Sequence, residues 1–204
     1  MRGVGRAAEV LDLFSVERPY WGPTEVAAEV GVAKSSAYEL LRELARAGLV
    51  ERMACGRYRL GWRLLGLART MLQSNGLTST AIPAAHELAR QLGETVHFAA
   101  LDRGRVLYVA SVVPARGVAA PTGPVAAELT PLGQVLSTAD SGVLVGPQQA
   151  LNGVVCAAAA LRVRDEPAGA IGVCAPDERF ATRRDVYARA VAATRKRVAH
   201  AVRL

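Results

Sequence analysis

The amino-acid sequence predicts an α+β chain of two domains, and three observations carry that expectation. Residues 24–60 hold two short helical periods joined by a tight turn, followed by a pair of alternating strands. Residues 62–74 then form an apolar helical stretch that Asn75-Gly76 brings to an end. Beyond it, apolar strand-like runs are interrupted by turn residues and flanked by helices, the pattern of an antiparallel sheet covered on one face. The expected division is a winged helix-turn-helix over 1–61, a linker and dimerisation helix over 62–75, and a second domain over 76–204.

Within the first domain, residues 5–16 open with a helix whose Ala8, Leu11, Leu13 and Phe14 can pack behind the next two. Arg6 stands at its start, where it either reaches a phosphate or stays solvated. Pro19 ends the helix, and Trp21 is expected to brace the core. Glu25 to Val30 is a short helix with Thr24 placed as its N-cap. Gly31-Val32 supplies the turn, since glycine tolerates positive φ. In the helix from Lys34 to Ala47, the positions Ala37, Leu40, Leu41, Leu44 and Gly48 mark a buried face. The opposite face centres on Ser35, Glu39, Arg42 and Arg46, with Tyr38 at its edge. Leu49–Met53 and Arg57–Leu60 alternate as strands around Ala54-Cys55-Gly56. Such a unit is suited to lay its second helix into a DNA major groove.

The helix from Trp62 to Ser74 has apolar residues on more than one side, so it needs two partners. In the second domain, Ala81–Leu92 reads as a helix stopped by Gly93, and Thr95–Leu101 and Arg105–Val112 as strands turning at Asp102-Arg103-Gly104. A third strand is expected within Arg116–Ala120. Thr130 caps a short helix with Pro131 at its first position. Val154–Val163 and Gly169–Ala175 pair through Arg164-Asp165-Glu166-Pro167. A helix over Arg183–Arg203, capped by Thr182, closes the domain and covers the sheet with Val186, Ala190, Ala193 and Val198.

The 204 residues are 51% hydrophobic, enough for two cores and inconsistent with disorder. No apolar run spans a bilayer, and the first residues lack a secretory core, so a cytoplasmic protein is expected. The net charge of +7 suits a polyanion partner, but it is spread evenly. Residues 1–75 hold 11 basic and 8 acidic side chains, and residues 76–204 hold 14 and 10. Lysine occurs only at Lys34 and Lys196, so the arginine bias is compositional and marks no single base reader. Cys55, Cys156 and Cys174 have no metal spacing; three reduced thiols or a redox switch both fit. His86, Glu87 and His97 fit neither zinc nor triad spacing, and no phosphate loop or nucleophile elbow occurs. Neither an enzyme, a metal nor a cofactor is expected.

The run from Arg6 through GLVER…GRYRLG to Leu67 resembles the IclR family of bacterial transcriptional regulators. HELARQLGETVHFAALDRGRVLYV, LTPLGQVL and VVCAAAALRV…GAIGVCAP follow in the same order. The resemblance implies a GAF/profilin-like, effector-binding second domain, a homodimer or a tetramer, and a palindromic double-stranded DNA operator that is repressed or activated. It places the Lys34–Ala47 helix in the major groove and the hairpin on backbone or minor groove. The expected DNA contacts are Arg6, Thr24, Lys34, Ser35, Ser36, Tyr38, Arg42, Arg57 and Arg59. Ser35 and Ser36 suit phosphate at a helix start, Arg42 suits guanine, and Arg57 with Arg59 suits a narrow minor groove. Glu39 departs from the family in carrying an acid there. The effector implied is a small organic acid or aromatic compound, with its polar end on the Thr130 helix start, against Leu129, Pro131, Leu132, Gln149, Cys156 and Cys174. Only Ser137 to Gly153 separates LTPLGQVL from VVCAAAAL, a shorter insertion than the family's. The alternative reading is therefore a ligand-independent DNA-binding dimer with a vestigial effector domain.

Overall fold

The computed structural model describes residues 2–140, 142–164 and 166–202. It divides into two compact units, Met1–Ser74 and Asn75–Leu204.

In the first unit, helices α1 (Arg2–Asp12), α2 (Pro23–Val30) and α3 (Lys34–Arg46) enclose Val10, Trp21, Val26, Ala37, Leu41, Leu44 and Tyr58. The first helix lies closer to the N-terminus than its apolar pattern suggests. It stops at Asp12, and Val10, not Ala8, is its fully buried residue. The Leu13 carbonyl is free of the helix and accepts from the Trp21 indole N–H at 2.9 Å. Trp21 thus braces the core as expected.

Thr24 is not the N-cap of α2. Pro23 takes the first helical position, where its missing N–H costs nothing, and this moves the cap to Gly22. The Gly22 N–H donates to the Glu25 carboxylate at 2.7 Å, and glycine has no side chain to return the bond. Gly31, at φ 68°, makes the left-handed turn into α3. Strands β1 (Val50–Arg52) and β2 (Tyr58–Leu60) pair antiparallel and are shorter than their alternation suggests. Trp21 and Tyr58 exchange two backbone hydrogen bonds, of 3.0 and 2.8 Å, which tie the wing to the start of α2. Helix α4 (Trp62–Ser74) has no buried residue; Trp62, Leu65, Leu67 and Met71 are exposed.

The second unit opens with α5 (Gly76–Leu92), five residues earlier than expected. The Asn75 carboxamide accepts from the Leu77 and Thr78 N–H groups and starts the helix despite Pro83 within it. Six strands follow: β3 (Thr95–Asp102), β4 (Arg105–Val112), β5 (Val125–Ala126), β6 (Val143–Pro147), β7 (Val154–Val163) and β8 (Glu166–Pro176). They form one antiparallel sheet in the order β5-β4-β3-β8-β7-β6. No strand occupies 116–120; the partner of β4 is β5, further along. Thr95 donates its hydroxyl to the Val118 carbonyl, so the segment crosses the sheet instead of extending it. The edge strand β6 lies in a stretch that carried no strand expectation.

Helix α6 (Pro131–Leu136) starts as expected, with Thr130 Oγ1 accepting from Gly133 N–H at 2.9 Å. A Cβ at position 133 would collide with the Ala127 backbone, so glycine is required for that close approach. Helix α7 (Asp177–Val202) begins earlier than the expected Arg183, where it kinks at φ −128°. The expected Arg203 terminus and the Asp165 turn position lie outside the described residues. Its buried stripe is Phe180, Tyr187, Val191, Thr194 and Val198, while Val186 and Ala193 face outward. The stripe is shifted because the Tyr187 hydroxyl reaches buried Glu94 at 3.1 Å.

One face of the sheet packs Val96, Phe98, Ala157, Ala159, Leu161, Ile171 and Val173 with α5 and α7. The other packs Ala99, Val106, Ala158, Ala160 and Ala170 with α6. A bulge between Phe98 and Ala99 leaves Val109 without a partner. It brings both Ser111 and Tyr108, three apart in sequence, to the face that carries His97.

Candidate nucleic-acid interface and small-molecule site

Helix α3 buries Ala37, Leu41 and Leu44 and leaves Lys34, Ser35, Ser36, Tyr38, Glu39 and Arg42 on its outer face. Arg42 lies 4.0 Å from Glu43, which bonds Arg46 at the shorter distance of 3.0 Å. Arg42 therefore keeps its guanidinium largely available. The other expected contacts are placed less simply. Arg6 donates to the Val30 carbonyl at 3.4 Å and so caps the end of α2. Thr24 is exposed at the second position of that helix.

Neither wing arginine stands free. Arg57 pairs with Glu25 at 2.9 Å and donates to the Tyr20 carbonyl. Arg59 meets Glu51 through two donors, at 3.0 and 2.8 Å, across the β1–β2 ladder. The Gly22 N–H, followed by Arg18 and Arg57, holds the Glu25 carboxyl below its usual range against partial desolvation. Arg18 also lies over the Trp21 ring at 3.4 Å. Water screens these exposed pairs and leaves them contributing little, so phosphate can replace the carboxylate. A depression of about 470 Å³ beside the wing is lined by Tyr20, Met53, Cys55 and Arg57, among others.

The second site differs from expectation in three places. The α6 start faces inward but is self-capped: Pro131 has no N–H, and Gly133 N–H is taken by Thr130. Gln149 is exposed and contributes only its backbone N–H, to the Leu129 carbonyl at 3.0 Å. Its neighbour Gln148 is the buried residue, at 1% exposure. Cys156 and Cys174, facing each other in adjacent strands, form a disulfide and are not reduced thiols. The disulfide packs against Val118, Leu151 and Val154. Leu132 and Pro131 are buried, whereas Leu129 is partly exposed.

A polar cluster lies on this face, of which the sequence drew attention only to His97, as a poor metal or triad candidate. His97 Nδ1 is 2.8 Å from Ser111 Oγ, and its ring meets Tyr108 edge-on at 4.9 Å between centroids. Gln148 Nε2 donates to Tyr108 Oη at 2.9 Å. Burial pushes the His97 imidazole down to about 4, so it is neutral near pH 7. Burial likewise raises the Tyr108 phenol, against hydrogen bonds from Gln148 and Thr130. His97 Nε2 and Gln148 Oε1 are buried and have no hydrogen-bond partner in the protein. The one signal in the sequence was His97 alternating with apolar strand residues. His86, by contrast, sits on α5, near the Ile82 carbonyl.

On the opposite side of the sheet, Glu94 is 3% exposed and bonds Arg179 through two donors, both at 2.9 Å. Arg179 also donates to the Arg116 carbonyl at 2.7 Å. Among the described residues no group of three or more His, Cys, Asp or Glu side chains could hold a metal ion, and no helix is long and apolar enough to cross a membrane.

Residues 3–54 match the IclR helix-turn-helix domain. The glycerol operon regulatory protein of Streptomyces coelicolor is 37% identical over 110 residues, which are 53% of this chain and 43% of that protein. The chain thus matches less than half the length of that relative. In fold, it is similar to an IclR homologue of Microbacterium hydrocarbonoxydans solved with 4-hydroxybenzoate. That match has a TM-score of 0.82 and 18% identity, over 98% of this chain and 99% of the other. An IclR transcriptional regulator from Alicyclobacillus acidocaldarius gives a TM-score of 0.85 at 20% identity, over 99% of each chain.

Proposed function

We infer, from the premise that this chain belongs to the IclR family, that it is a cytoplasmic transcriptional regulator binding a palindromic DNA operator as a homodimer and responding to a small molecule in its second unit. The observation that carries this reading is the outer face of α3. Lys34, Ser35, Ser36, Tyr38 and Arg42 stand exposed on a helix whose other face is locked into a core. The hydroxyls and the positive end of the helix dipole suit a phosphate, and Arg42 suits a guanine edge. Arg57 and Arg59 join by exchanging their carboxylate partners for backbone phosphates. The exposed apolar residues of α4 offer a second copy a surface, and twin half-sites match such a dimer.

The small-molecule part is supported by the buried polar cluster around Tyr108 and by two relatives. The Streptomyces coelicolor protein is named for a glycerol operon, and the Microbacterium structure holds 4-hydroxybenzoate. Retention of sheared source DNA on the purified protein tests the reading. A few fragments sharing a palindrome are the expected outcome. Uniform retention that vanishes with added salt would mean electrostatic binding alone and would sink it.

A further inference from the structure

We propose that His97 and Gln148 are the specificity pair of the small-molecule site and that they select an uncharged phenolic hydroxyl over a carboxylate. The inference rests on reading the second unit as a sensor. It begins with two atoms: His97 is fully buried and Gln148 is 1% exposed, yet His97 Nε2 and Gln148 Oε1 have no partner in the protein. Leaving such groups unpaired is costly, so a native fold supplies a partner for them.

Tyr108 connects the two. Its hydroxyl accepts from Gln148 Nε2, which fixes Oε1 as the free acceptor, and its ring sits against the His97 imidazole. Ser111 holds Nδ1, so Nε2 is the other free position. A hydroxyl placed between the two atoms would satisfy both: its proton would go to Gln148 Oε1, and its oxygen would accept from Nε2 in the tautomer that places the proton there. A carboxylate cannot donate to Oε1. The imidazole is neutral near pH 7 and offers an anion no countercharge. The body of the ligand would meet Leu132, Val118, Leu151 and the Cys156–Cys174 disulfide, which suits an aromatic ring. The irregular segment over 113–124 lies beside this face, held by Thr95 and Arg179 through the Val118 and Arg116 carbonyls.

The test uses the full chain and three probes of one size: phenol, toluene and benzoate. Calorimetry gives affinities, and melting curves check folding. Phenol is expected to bind at least about tenfold more tightly than either other probe, because toluene leaves both orphan groups unpaired and benzoate buries a charge. Gln148→Leu and His97→Gln should each weaken phenol at least about tenfold while leaving toluene within about twofold. The two variants guard against either one failing to fold. Benzoate equal to or tighter than phenol would overturn the proposal, as would phenol affinity unchanged in both folded variants. So would the absence of any binding together with a higher melting temperature for Gln148→Leu, which would mark the pair as hydrated structure. Failure of the regulator reading is distinguishable: DNA retention would lose its selectivity while phenol binding and its variant dependence persisted.

Discussion

The two units treat their polar side chains in opposite ways. In the first, charged groups stay near the surface and pair with one another: Arg57 with Glu25, Arg59 with Glu51, Arg46 with Glu43. Water screens such pairs, and their partners exchange at little cost. In the second, Glu94, His97 and Gln148 lie at 3%, 0% and 1% exposure. There each polar group is held by specific neighbours, Glu94 by Arg179 and Tyr187, His97 by Ser111 and Gln148 by Tyr108, and an unfilled valence is expensive. The difference separates a surface whose charged pairs can be exchanged from an interior whose polar geometry is fixed.

The largest expected effect lies in the interior. Arg179→Met removes the charged partner of a buried carboxylate, leaving it the Tyr187 hydroxyl, and should destabilise the second unit by about 2–3 kcal/mol, read from chemical denaturation. A change below about 1 kcal/mol would mean that Glu94 is as exchangeable as the surface acids, and the contrast would fail.

His97 gives a comparable effect through pH. Its folded pKa, about 4, is depressed from the ordinary 6.5. The unfolded chain takes up a proton that the folded chain refuses, so stability falls as pH drops through that window, by about 3 kcal/mol in total. His97→Phe should flatten this part of the stability–pH curve, and an unchanged slope would assign it to other groups.

On the surface, Arg42→Ala should weaken operator binding by about 1–3 kcal/mol and relax preference at one base, measured by DNA titration. The smallest effect should come from Glu51→Gln. It should change stability by less than about 1 kcal/mol while releasing Arg59, raising affinity for DNA of any sequence and steepening its salt dependence. A loss of several kcal/mol there would show that the wing pair is structural.

The sequence disclosed what depends on local periodicity. The α3 faces, the β3–β4 turn and the Thr130 cap all follow from residues within a few positions of one another. It concealed what depends on long-range pairing. Glu25 meets Arg57 across 32 residues, and Gln148 meets Tyr108 across 40, so no local pattern could select Gln148 over exposed Gln149. The Cys156–Cys174 disulfide needed the β7–β8 register, which the hairpin alone left open. One capping signal was legible but outranked, as Pro23 displaced Thr24, and Asn75, read as the end of one helix, starts the next ahead of Ala81.

Val109, the unpaired residue of β4, sets the parity of the sheet face that carries His97. Side chains alternate along a strand, so one extra residue exchanges inside for outside from that point on. With it, Ser111 and Tyr108 both serve His97; without it, one of them would turn to the opposite face and take its hydrogen bond along. A one-residue deletion here would rewrite the polar chemistry of this face without altering any residue that it carries. Relatives that differ by a single insertion at this point would present different ligands with the same letters.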